Sequence, residues 1–212
     1  MILILSCILF PLCHGYGDTN IVQTTLGPVQ GSLRVTTNGH TYYSYQGLPF
    51  AAPPVGNLRL LPTQPREPWT EVLDLTSDSD IMCPQLSEVV SGDLLGQEDC
   101  LYLNIYAAES DQEQLKPVMI WIHPGEFNYG SASLVTPSRL AASGDVIVVS
   151  IQYRLGALGF IYFGDKSQAN LGLQDQLLSI EWISQNIIYF GGDPTRVTLF
   201  GSEVIFNCFC FC

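Results

Sequence analysis

Dense apolar runs at residues 101–106, 118–123, 146–153 and 197–200 set the rhythm of the second half of the chain. They do not alternate with polar residues, so each predicts a strand buried on both faces. Between the last two runs the spacing turns helical. Leu173, Leu177, Ile180 and Trp182 mark the pattern, Asn170 opens it, and Gly191-Gly192 closes it. A shorter helix is expected at residues 137–143, with Pro137 near its start. Strands alternating with helices predict an α/β fold with a largely parallel sheet. The first half reads differently. Residues 22–25, 29–36 and 41–45 are short strands joined by turns at Gly27-Pro28 and Asn38-Gly39. Residues 49–68 form a Pro-rich but packed extended segment, and residues 77–99 a polar loop bounded by two cysteines.

Length and composition narrow this picture. A chain of 212 residues with 47% hydrophobic content suggests one domain with a real core. Twenty acidic against eight basic residues give a net charge of −12, which argues against a nucleic-acid or anionic-membrane surface. The apolar run at residues 2–12, followed by small residues, reads as a secretory signal over residues 1–17; the alternative is a buried N-terminal strand. It is too short to span a bilayer, and no transmembrane segment is expected elsewhere. Export would suit Cys83 and Cys100 as disulfide partners, the alternative being two buried free thiols. No Asn-x-Ser/Thr sequon is present.

Five segments, in order, resemble the carboxylesterase/cholinesterase (type B carboxylesterase) family. They are YQGLPFAAPPVGNLRL at residues 45–60, EDCLYLNIY at 98–106, the loop at 118–129, VSIQYRLGALGF at 149–160, and NLGLQDQ at 170–176 continuing through FGGDPTRVTLFG at 190–201. The resemblance covers nearly everything from Ile21 to Gly201. It implies the N-terminal part of an α/β-hydrolase fold over residues 18–203, with a mostly parallel central sheet and an N-terminal antiparallel hairpin. It also implies the disulfide Cys83–Cys100 and two buried ion pairs, Arg59 with Glu98 and Arg154 with Asp175, each of which would leave a costly buried charge if broken. No cofactor or metal is implied.

Ester hydrolysis in that family uses a Ser on a G-x-S-x-G strand-to-helix elbow, followed along the chain by an acid and a His. Here the elbow strand leads into Gly201-Ser202-Glu203-Val204, so Glu203 occupies the nucleophile position. Ser202 sits one residue early and lacks the flanking glycines, with Phe200 and Val204 in their places. The three histidines are His14 in the expected signal, His40 in a turn, and His123, which matches the first residue of the family's H-G-G-G oxyanion loop. That loop reads His123-Pro-Gly-Glu-Phe127. Pro124 has no N–H to donate, leaving Gly125 and Glu126 as donors, and the Glu126 carboxylate is unfavourable where negative charge develops. The cysteine-bounded loop has no Trp for a quaternary ammonium, which speaks against choline esters.

Residues 204–212, VIFNCFCFC, lose the helical period an elbow should open. They read as translated intron, or alternatively as a truncated isoform, and the expectation is a truncated fold with the 197–200 strand left as an aggregation-prone edge. The expected function is therefore an ester-hydrolase family member without an intact catalytic set, taking a small ester if complete and active. The alternative is a non-catalytic, neuroligin- or glutactin-like binder of an extracellular protein. Secretion is expected in either case.

Overall fold

The computed structural model describes residues 20–87, 92–108, 114–164 and 169–202. The expected signal (1–17), Glu203 and the 204–212 tail lie outside the described residues.

The strands are β1 (Ile21–Gln23), β2 (Pro28–Gln30), β3 (Ser32–Val35), β4 (Thr41–Pro49), β5 (Leu73–Asp74), β6 (Gln85–Leu86), β7 (Leu94–Leu95), β8 (Tyr102–Ala108), β9 (Lys116–Ile122), β10 (Ile147–Ile151) and β11 (Gly192–Gly201). The α-helices are α1 (Ser138–Gly144), α2 (Gly156–Phe160) and α3 (Leu171–Asn186), and a 3-10 turn, Ile187–Phe190, extends α3. Six strands form the main sheet in the order β11-β9-β10-β8-β4-β3. The β11-β9 and β9-β10 pairings are parallel, as the strand–helix alternation predicts. The β10-β8, β8-β4 and β4-β3 pairings are antiparallel, so the sheet is mixed and its antiparallel part reaches well past an N-terminal hairpin. The reason is the connection. Only a few residues separate β8 from β9, too few for a parallel crossover, so these two strands run antiparallel; β10, which lies between them parallel to β9, is therefore antiparallel to β8.

Alternate residues of the central strands feed two faces. Leu103, Ile105, Val118, Ile120, Ile122, Ile147, Val149 and Ile151 join Trp182, Ile183, Ile187 and Phe190 in one core under α3. Tyr42, Tyr106 and Val148 pack with Ala141 of α1 on the other. Each such aliphatic side chain, fully buried, contributes about 1.5–3 kcal/mol. Helix α3 shows its inward stripe in an unexpected register: Leu171, Asp175, Gln176, Ser179, Trp182, Ile183 and Asn186 are buried, whereas Leu177 is exposed. Its far end is tied to the N-terminal strands through Asn186, whose Oδ1 accepts from the Thr25 N–H at 2.8 Å.

Candidate active site

Parallel register brings three strand ends to one edge of the sheet. Gly201 of β11 and Ile151 of β10 both pair with Ile122 of β9. His123, Ser202 and the Gln152-Tyr153-Arg154 run therefore leave the sheet together at its carboxyl edge, where ligands bind in open α/β sheets. His40 does not belong to this edge. It precedes β4 and lines a cavity with Lys116 and Asp145 at the opposite ends of the strands.

The loop after β9 is built on His123. The ring is fully buried and stacks on Tyr153, with centroids 4.3 Å apart and planes 12° apart. Tyr153 Oη donates to the His123 carbonyl at 2.9 Å. His123 Nδ1 lies 3.0 Å from the Pro124 carbonyl, which can only accept, so the proton sits on Nδ1. Burial lowers the His123 pKa to about 4 and keeps the ring neutral. Its Nε2 is buried and has no partner among the described residues. His123 is thus a buried packing element of the loop.

From Gly125 the backbone turns through three successive left-handed residues, Gly125 (φ 124°), Glu126 (φ 51°) and Phe127 (φ 63°). The Gly125 carbonyl accepts from the N–H of Asn128 (2.8 Å) and of Tyr129 (3.1 Å), and the Phe127 carbonyl from the N–H of Gly156 at the start of α2 (2.7 Å). Among the described residues no hydrogen bond uses the N–H of Gly125 or Glu126. Both remain without an acceptor among the described residues. Gly130 closes the turn against the His123 ring, where a Cβ would collide.

Gln85 is a site residue that sequence reading missed. Its side chain donates to the Gly130 carbonyl and accepts from the Gly130 N–H, both at 2.8 Å. Gln85 follows Cys83, and Cys83 and Cys100 form a disulfide. The disulfide-bounded segment is therefore fastened to the oxyanion loop. A lone Gln in a polar loop carries no sequence signal that distinguishes this role.

The two expected ion pairs differ in kind. Arg154 and Asp175 are buried, with 2.8 Å between Nη2 and Oδ1 and 2.9 Å between Nε and Oδ2. Arg154 also donates to the Leu61 carbonyl and to Thr63 Oγ1, and the Arg154 N–H donates to Asp175. This network fixes residues 59–63 and the strand end to α3. Arg59 and Glu98 pair at 2.6 Å, but their side chains are 51% and 31% exposed. The expectation that this second pair is buried is corrected: Arg59 follows a 3-10 turn, Gly56–Leu58, that has no buried residue.

Two cavities flank the loop. One of about 820 Å³ is lined by Leu86, Leu94, Glu98, Asn128, Tyr129, Leu155 and neighbours, and one of about 430 Å³ by Glu126, Phe127, Asn128, Ala157 and Phe160. Among the described residues no cluster of His, Cys, Asp or Glu suits a metal ion, and no helix is long and apolar enough to cross a membrane.

A mixed sheet with its ligand edge at the parallel strand ends, facing a backbone-donor loop, defines the N-terminal part of an α/β-hydrolase. Residues 18–204 match the model of the carboxylesterase family, and the chain belongs to that family. It is 45% identical over 192 residues to a para-nitrobenzyl esterase of Bacillus subtilis, covering 86% of this chain and 38% of the relative. It is 43% identical over 205 residues to a human cocaine esterase, covering 90% and 36%. It is 41% identical over 187 residues to a juvenile hormone esterase of Tribolium castaneum, covering 86% and 32%. The chain thus spans between about a third and two fifths of the length of these relatives.

Proposed function

We propose that the protein is a secreted carboxylesterase-family member that binds small ester-like ligands at the carboxyl edge of its sheet but, in this 212-residue form, does not hydrolyse them. The observation that carries this reading is the sequence at the end of β11. Gly201, the last residue of β11, lies in register with Ile122, and two positions further in the sequence, where the family's elbow carries its Ser, stands Glu203. A carboxylate has no hydroxyl to deprotonate and cannot form the acyl-enzyme as Ser does, and of the described histidines His40 lines the cavity at the opposite strand ends while His123 is buried in packing against Tyr153. Glu126 adds a second carboxylate to the donor loop, against the charge that develops on the carbonyl oxygen. The disulfide supports an oxidising compartment and hence secretion.

The test is hydrolysis of 4-nitrophenyl acetate by the purified chain beside the Glu203→Ala variant. Equal rates at the uncatalysed level are expected. Turnover by the wild type that the variant loses, or turnover by both above background, would overturn the reading.

A further inference from the structure

One feature of the loop is not used by ester binding. Glu126 is exposed, stands where a left-handed backbone favours glycine, and among the described residues its carboxylate takes part in no hydrogen bond or ion pair. It lines the 430 Å³ cavity with the rings of Phe127 and Phe160, whose centroids lie 4.7 Å apart at 49°. This cavity adjoins the 820 Å³ one through Asn128, Gly156 and Ala157, which line both. Neither is lined by a Lys or Arg. The other acid on their walls, Glu98, is already held by Arg59. The chain as a whole carries −12.

We propose that the joined cavities bind a monovalent organic cation with an apolar body, an aryl-alkyl ammonium in chemical class. The ammonium meets the Glu126 carboxylate and the faces of Phe127 and Phe160; the body occupies the larger cavity against Leu86, Leu94 and Leu155. Three independent terms favour such a ligand. A carboxylate–ammonium hydrogen bond is charge-assisted, aromatic faces attract cations, and apolar walls take up the body. The same carboxylate disfavours an anion of equal shape. A neutral ligand gains no charge-assisted contact from the Glu126 carboxylate, so this site separates ligands by charge.

The experiment is calorimetric titration of the purified chain with phenethylammonium and with 2-phenylethanol, its neutral counterpart of equal size. The ammonium is expected to bind about tenfold more tightly than the alcohol, the scale of one charge-assisted contact. Glu126→Gln is expected to remove that difference and leave alcohol binding unchanged, while Phe160→Leu weakens the ammonium severalfold. Raising the ionic strength of the wild-type titration should weaken the ammonium alone, a readout that needs no variant to fold. Equal affinity of the two ligands, or ammonium binding indifferent to both Glu126→Gln and salt, would overturn the proposal. No hydrolysis is read, so this result and that of the esterase assay stand separately.

Discussion

Gln85 and Gly130 exchange two hydrogen bonds of 2.8 Å, side chain to backbone, across 45 residues of sequence. The amide fills both the donor and the acceptor of one glycine, the only residue type that fits there, because a Cβ would strike the His123 ring. The segment bounded by the disulfide and the donor loop are thereby one mechanical unit. Replacing Gln85 with Ala leaves both Gly130 groups unpaired, at a cost of about 1–3 kcal/mol. Urea denaturation is expected to show this loss. Gln85→Glu, which can accept but not donate, should lie between the two.

The Cys83–Cys100 disulfide spans 17 residues. In the chain-entropy model a loop of this size is worth about 3 kcal/mol. Reduction should lower the urea midpoint accordingly and, through Gln85, weaken ligand binding at the adjoining cavity.

His123 gives the protein a pH-dependent term. Its folded pKa, about 4, lies below the ordinary value of 6.5 because burial opposes the charged ring. Between these values the unfolded chain binds more protons than the folded one, so stability rises with pH. The contribution is complete above about pH 6.5 and is lost as pH falls toward 4, in all roughly 3 kcal/mol at 1.36 kcal/mol per unit. Urea midpoints measured from pH 7 to pH 4.5 should fall, and His123→Asn should flatten that part of the profile.

The two Arg–carboxylate pairs should respond very differently to mutation. Asp175→Asn leaves Arg154 charged and buried, and removing one partner of a buried pair costs about 3–5 kcal/mol. Glu98→Gln, at the exposed pair, should shift the urea midpoint little.

Glu126 and Phe127 occupy a backbone region that costs a non-glycine residue about 1–2 kcal/mol. Glu126→Gly relieves that strain but loosens the unfolded chain, so it should leave stability within about 1 kcal/mol of wild type. Gly125→Ala, whose Cβ would run into the Tyr129 backbone, should destabilise severely.

These residues also mark what could be read from the sequence. The four apolar runs became β8 to β11, but only β8 and β10 are buried on both faces, as an unbroken apolar run implies; β9 alternates buried with half-buried residues, and β11 is mostly half-buried or exposed. Helix α3 was legible in extent but not in orientation. Its inward stripe carries the polar residues Asp175, which pairs with Arg154, Ser179, which donates to the Gln176 carbonyl, and Gln176 itself, so hydrophobic periodicity pointed to Leu177 instead. Helix α2, five residues with two glycines, has no period to detect. Strands β5 to β7 are two residues each, too short to show a pattern; β5 is defined by pairing with the distant β2, and β6 and β7 by pairing with each other. At the site, the motif identified His123, Gly125, Glu126, Arg154 and Asp175. Gln85 and Tyr153 were invisible as partners because their roles depend on contacts across the fold.

Covalent labelling distinguishes a working serine at the end of β11 from the Glu203 reading. A fluorophosphonate ester phosphonylates an activated serine and spares an ordinary one. The purified chain, treated with such a reagent and mapped by peptide mass spectrometry, is expected to carry no adduct on Ser202 or on any other serine. Stoichiometric modification of Ser202 would show a working nucleophile one residue before Glu203 and would overturn the proposed lack of hydrolysis.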